Sequence, residues 1–249
     1  MNPALEVRNL QKHFGGLHVT RDVSLSLAHG ELHAVIGPNG AGKTTLISQL
    51  FGDLVPSAGT ILVDGRDVTG RPPHQRAGFG MARSFQITTL VRELTIGDNA
   101  SLAILASRGH AFRFWKRVDR DAHLLETARH ALSAVGFVGM DLQRRVADLS
   151  HGEQRLLELA IALIGKPKLL LLDEPMAGLG SEESKAMTRL LLGLKGRVTI
   201  LLVEHDMDAV FELADRITVL VRGEVVAIGT PAEIRADGRV RTAYLGEDA

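Results

Sequence analysis

The stretch "GPNGAGKT", Gly37 to Thr44, constrains this chain more than any other. It matches G-x-x-x-x-G-K-[ST] in full and stands between a strand-like run, "ELHAVI", and a helix-like one, "TTLISQLF". That strand–loop–helix setting is what gives the motif its meaning. Gly37, Gly40 and Gly42 let the backbone curl until its amides point inward at phosphate oxygens. The helix N-terminus behind them adds partial positive charge. Pro38, Asn39, Ala41 and Thr45 belong to the same nucleotide-binding loop. Lys43 is placed to meet the β- and γ-phosphates as a point charge, and the Thr44 hydroxyl to ligate magnesium. The competing reading is a glycine-rich turn before a helix, with an exposed lysine.

A phosphate loop needs an acidic partner for its metal, and "KLLLLDEP" supplies one. Four leucines bury a strand, and Asp173 and Glu174 emerge at its C-terminal end, where open α/β sheets bind ligands. Two adjacent carboxylates can divide the work: Asp173 holds magnesium, directly or through water, and Glu174 polarises the attacking water as general base. Without the phosphate loop, the same residues would read equally well as a polar strand end before a proline turn. His205, in "LLVEHD", likewise closes an apolar strand. A lone histidine there is more often a surface residue, but strand ends of one sheet converge, and an imidazole could order a water at the γ-phosphate. Gln86, in "ARSFQI", is an amide able to reach metal or water, and alone it decides nothing.

The spacing of Leu46, Ile47, Leu50 and Phe51 predicts a helix that Gly52 stops. "GTILVDGRDV" predicts a hairpin turning at "DG". "KLLLLDEP" and "RVTILLVEH" are uninterrupted apolar runs of the kind parallel strands show when covered on both faces. Between them "SEESKAMTRLLLGLKG" reads as a helix, so the core alternates strand and helix and is α/β. The middle of the chain changes texture. "DAHLLETARHALSAVGF" puts Leu124, Leu125, Ala128, Ala131 and Leu132 on one helical face, as expected of an inserted helical lobe.

Composition narrows the functions available. Lys plus Arg number 29, as do Asp plus Glu, so no global field favours nucleic acid or an anionic membrane. The chain has no cysteine, which excludes disulfides and thiolate metal sites and suits a cytosolic protein. The N-terminus lacks a basic-then-apolar leader pattern. The longest apolar runs fall far short of the ~20 residues of a membrane span, so any spanning is expected of another chain.

"LSHGEQ", from Leu149, carries two meanings. Ser150 followed by Glu153 is a capping box, the opening of an ordinary helix. The free amides beside Ser150 and Gly152 would also suit an anion. Gln154 stands at the staple position opposite Leu149, where an apolar residue would favour stability. Gly152 occupies a first-turn position where Ala would stabilise the helix by roughly 0.5–1 kcal/mol more. Both choices point to a close approach rather than to stability alone.

Phosphate loop, glutamine, helical insert, "LSHGEQ", acidic strand end and histidine, in this order, resemble the ATP-binding cassette (ABC) family over essentially the whole chain. "LSHGE" stands where that family has L-S-G-G-Q. The resemblance implies a P-loop NTPase fold: a RecA-like core over residues 1–88 and 160–249, an antiparallel β subdomain, and a helical lobe over 89–159 bearing the signature. It implies a dimer, with itself or a paralogue, sandwiching two ATP–magnesium complexes. Each site would join Gly37–Thr45, Gln86, Asp173, Glu174 and His205 of one chain to Ser150, Gly152 and Glu153 of the other. Phe14, in "KHFGG", matches the aromatic that stacks on adenine, although a strand-end core Phe reads the same way. Gly180 departs from the Asp or Asn usual in the interface loop.

"ARSFQI", "LSHGEQR", "AGLG", "VEHDM" and "AYLGEDA" together resemble the larger ATPase subunit of branched-chain amino acid uptake systems. That implies transmembrane permease subunits, indirect service to a periplasmic or extracellular binding protein, and a cytoplasmic place on the inner face of the membrane. The aromatic-basic stretch over residues 110–119 would suit a membrane subunit or headgroups, or an ordinary amphipathic surface hairpin. Lipopolysaccharide-export ATPases look similar, down to "YLG". A soluble, non-transport ABC ATPase would need a long coiled-coil insertion or a second cassette, for which 249 residues leave no room.

Overall fold

The computed structural model describes residues 2–83, 90–107, 122–134, 139 and 141–245. They form two compact units. The first takes Met1–Arg83, Lys168–Glu174 and Leu191–Ala249; the second takes Ser84–Pro167 and Pro175–Leu190. Gln86 and the aromatic-basic stretch at 110–119 lie outside the described residues.

The first unit carries two sheets. One is antiparallel, ordered β2-β1-β4-β5, from β1 (Leu5–Phe14), β2 (Leu17–Leu27), β4 (Ala58–Val63) and β5 (Arg66–Asp67). The other is ordered β10-β9-β3-β8-β7-β6, from β3 (Leu32–Ile36), β6 (Met81–Arg83), β7 (Leu169–Asp173), β8 (Thr199–Val203), β9 (Arg216–Val221) and β10 (Glu224–Gly229). All its neighbours are parallel except β10, a hairpin return on β9. Every residue of β3, β7 and β8 is buried, as the unbroken apolar runs require. Helices α1 (Lys43–Phe51), α2 (Pro73–Ala77), α7 (Met207–Leu213), α8 (Pro231–Ala236) and α9 (Gly238–Leu245) complete the unit. The architecture is the α/β core with an antiparallel sheet expected from the sequence.

Local chemistry sets the element ends. Asp64 and Gly65 have φ of 51° and 76°, the two left-handed residues of a tight hairpin turn, and they bring Val63 opposite Arg66. Gly52 stops α1 at φ 96°, its amide donating to the Ser48 carbonyl. A Cβ at Gly52 would press on the Arg76 guanidinium. Arg76, fully buried on α2, donates to the carbonyls of Gln49 and Leu50 in the last turn of α1.

The second unit is helical: α3 (Ile96–Ser107), α4 (Ala122–Ala134) and α5 (His151–Ile164), with the start of α6 (Ser181–Leu194). Its core sets Ile96, Ala100 and Ile104 of α3 against Leu124, Ala128 and Leu132 of α4 and against Leu157 of α5. Of the face read from the 3.6-residue period of α4, Leu124, Ala128 and Leu132 are buried, and Leu125 and Ala131 flank them half-buried. Among the described residues no helix is long and apolar enough to cross a membrane.

Candidate active site

The loop after β3 is held by backbone. A Cβ on Gly37 would fall on the Leu220 carbonyl oxygen, so only glycine lets the loop pass β9. Gly42, at φ 98°, would bring a Cβ within 2.7 Å of the Val19 carbonyl oxygen. Gly40 has φ 77° with open space around it, and conformation alone selects glycine there. Gly42 also serves as N-cap of α1 and offers no side-chain acceptor, which leaves the first-turn amides to a ligand. Lys43 is buried, its Nζ donating to the carbonyls of Gly37 at 2.6 Å and Pro38 at 3.1 Å. Burial pushes the Lys43 ammonium below the ordinary lysine range, against the opposing pull of Glu174 and Asp173. Asn39 to Thr45, Val19 and Glu174 line a cleft of about 230 Å³.

β7 delivers the two carboxylates in different environments. Asp173 ends the strand, its side chain wholly buried. Its Oδ1 has no hydrogen-bond partner among the described residues, while Arg83 Nη2 stands 3.4 Å from Oδ2. Burial raises the Asp173 carboxyl above the usual range, and Arg83 opposes this. Glu174 turns the chain at φ 49°, with its amide donating to Val203. A left-handed non-glycine residue costs roughly 1 kcal/mol or more, and such strain concentrates at functional sites. His205, after β8, is exposed, with Nδ1 3.9 Å from Glu174 Oε2 and 3.7 Å from Glu204 Oε2. These separations put the imidazole beside the carboxylate without a direct hydrogen bond. Phe14, at the end of β1, is 47% exposed, with Lys12 Nζ 5.2 Å from the ring centre. Its ring is available for stacking rather than committed to the core.

In the second unit the capping box of α5 is closed. Ser150 Oγ accepts from the Glu153 amide, and Glu153 Oε2 accepts from the Ser150 amide. Arg144 grips both carboxylate oxygens of Glu153, at 2.7 and 3.1 Å. Burial would raise the Glu153 carboxyl, but the bonds from Arg144 and the Ser150 amide outweigh it and hold the group below the ordinary range. Gln154 is buried and donates to the Leu149 carbonyl at 3.0 Å, so the staple position does serve stability, through a hydrogen bond. A Cβ on Gly152 would overlap the Glu183 carboxylate. Glu183 accepts from Ser150 Oγ and from the Gly180 amide, each at 3.1 Å. An anionic group thus lies against the first turn of α5, where the amide-rich helix start favours one.

The pattern of the ABC transporter family matches residues 20–177, more than half of the chain. The chain belongs to that family. A pattern described as branched-chain amino acid ATP-binding cassette transporter matches residues 224–249. The cassette is 39% identical to the high-affinity branched-chain amino acid transport ATP-binding protein LivG of Salmonella typhimurium, over 98% of each chain. It is 38% identical to the corresponding protein BraF of Pseudomonas aeruginosa, again over 98% of each. The crystal structure of an ABC transporter's ATP-binding cassette in its ADP conformation superposes with a TM-score of 0.86 at 28% identity, covering 99% of this chain and 100% of that one. The cassette is an ATP-binding, ATP-hydrolysing subunit of a transporter.

The structure brings Gly37–Thr45, Asp173, Glu174 and His205 of the cassette into one unit, and Ser150, Gly152 and Glu153 into the other. Sequence reasoning missed Arg83, Arg144 and Glu183. Only Glu183 left a trace: an acid in the first turn after "GLGS", a position suited to cap α6 where Gly180 has no side chain to do so.

Proposed function

We propose that this cassette drives uptake of branched-chain or related amino acids through separate membrane-spanning subunits, paired with a second copy or a paralogue on the cytoplasmic face. The observation that carries the transport assignment is the 39% identity, over 98% of the chain, to a branched-chain amino acid transport ATP-binding protein. The match of residues 224–249 to a branched-chain amino acid ATP-binding cassette transporter pattern favours this over lipopolysaccharide export, whose ATPases resemble the chain down to "YLG".

The phosphates of ATP are bound by the amides of the loop from Gly37 to Thr45 and by Lys43, which is already folded onto that loop. Asp173 and the Thr44 hydroxyl are hard oxygen donors suited to magnesium, and the buried Oδ1 of Asp173, without a partner among the described residues, supports that fit. Bound there, magnesium would neutralise charge on the β- and γ-phosphates. Gln86 is assigned to the same metal or to the attacking water, and Phe14 to the adenine face. Glu174 takes the proton of the attacking water, and His205 orders that water by a hydrogen bond. Attack is in line on the γ-phosphate with no covalent intermediate. Ser150 and Gly152 would offer the start of α5 to the γ-phosphate held by the other cassette once the Glu183 carboxylate, which now accepts from Ser150 Oγ, gives way, and Glu153, fixed by Arg144, keeps the cap in place.

Glu174→Gln tests the chemistry. It keeps the shape of the side chain and removes the base, so ATP binding should persist while turnover falls at least about 100-fold. Near-normal turnover in a single-turnover assay would remove Glu174 from that role.

A further inference from the structure

Arg83, the last residue of β6, is shared between two carboxylates. Nη1 donates to Asp53 Oδ2 at 2.6 Å, and Nη2 reaches Asp173 Oδ2 at 3.4 Å. The Arg83 side chain is 8% exposed and that of Asp173 wholly buried. Asp53 follows the glycine that ends α1. A line of charged contacts therefore runs from the far end of the phosphate-loop helix to the acid at the end of β7.

The arm from Arg83 takes one oxygen of Asp173 and leaves the other, Oδ1, without a partner among the described residues. A carboxylate's terminal torsion is broad, so a group held at neither oxygen would turn. With Oδ2 held, Oδ1 keeps one direction. The positive charge of Arg83 would by itself repel a divalent cation. Its short, charge-assisted bond to Asp53 offsets part of that field, and a positioning role requires that orientation outweigh what remains.

We propose that Arg83 is a positioning residue for Asp173: anchored by Asp53, it holds Oδ2 so that Oδ1 is presented to magnesium, and thereby sets the metal dependence of nucleotide binding. The inference rests on the reading of Asp173 as a magnesium ligand. Loss of a group that orients a metal ligand typically weakens metal binding about 10–100-fold.

The full chain is titrated with a fluorescent, non-hydrolysable ATP analogue, in EDTA and then with increasing magnesium. In Arg83→Gln the affinity in EDTA should match the wild type, while the magnesium needed for half-maximal enhancement rises about tenfold. Arg83→Lys, which keeps the charge and a donor, should recover part of the loss. Asp53→Asn, at a position 39% exposed and therefore tolerant, should move the magnesium requirement in the same direction by about threefold, which keeps the test decisive if Arg83→Gln fails to fold. Asp173→Asn is the reference. If it retains the magnesium enhancement, the metal-ligand reading fails and this inference with it. If Asp173→Asn loses the enhancement while Arg83→Gln and Asp53→Asn titrate as wild type, the positioning role alone is overturned. A lower magnesium requirement in Arg83→Gln also overturns it, because Arg83 would then compete with the metal.

Discussion

Asp173 is a carboxylate kept where burial favours the neutral acid, and that has a direction in stability. A carboxyl whose folded pKa is raised costs the fold free energy while it is ionised. The cost is full at neutral pH and disappears as pH falls through the raised pKa and then the unfolded one. Glu153 runs the opposite way: its carboxyl is depressed, so its contribution is present above the unfolded pKa and lost as pH falls through the lower folded value. Asp173→Asn should therefore stabilise the nucleotide-free cassette by about 1 kcal/mol, or roughly 2–4 °C in Tm for a chain of this length. A thermal scan in EDTA reads this directly, and a lower Tm than wild type would show that Arg83 already compensates the buried charge. The φ of 49° at neighbouring Glu174 is a second cost borne at the same strand end. The two residues assigned to metal and water are thus the ones for which folding stability alone would select something else.

At the scale of elements, α1 is fastened from outside its own sequence. The Arg76 guanidinium donates to the carbonyls of Arg71, Gln49, Leu50 and Thr69, and burial lowers its pKa to about 10, against the pull of Asp53 and Asp67. Two of those carbonyls are in the last turn of the phosphate-loop helix, where a cation also meets the negative end of the helix dipole. Arg76→Met keeps most of the volume and removes every donor. It should cost about 2–4 kcal/mol, measured as a lower urea midpoint with an unchanged slope. An unaltered midpoint would mean that water replaces the guanidinium at those carbonyls. The same helix shows what was legible beforehand. Its start at the phosphate loop and its stop at Gly52 follow from residues a few positions apart, as does the turn at Asp64–Gly65. β7 and β8 were legible because unbroken leucine and valine runs have few ways to be buried. Arg76 to Leu50, Arg83 to Asp173 and Glu183 to Ser150 span 26, 90 and 33 residues. No local period encodes such contacts, and only the fold brings their partners together. The staple at Gln154 misled for a related reason: a buried amide looks unfavourable until the backbone carbonyl that receives it is in place.

On the scale of the whole molecule, equal numbers of basic and acidic residues leave no net field to hold the cassette on an anionic bilayer. No described helix can span one. The attachment proposed above is to spanning protein chains, and such contacts survive salt better than attraction to headgroups does. The prediction that follows is compositional. Tagged cassette drawn from gently solubilised membranes of its host should bring down two multi-span permeases together with a second, shorter ATPase, and should keep them at about 0.5 M salt, where screening shortens electrostatic reach to a few ångströms. That set would also decide the pairing, since a stoichiometric second ATPase means a heterodimer and its absence a homodimer. Recovery with lipopolysaccharide-export membrane subunits would transfer the cassette to the rival transport reading while leaving its ATPase chemistry intact. Recovery with ribosomes or DNA alone would leave the chemistry and remove the transport of amino acids. The salt wash separates a docked subunit from one merely attracted to membranes: a cassette that washes off vesicles with no permease attached has no mechanical route from ATP to a transported solute.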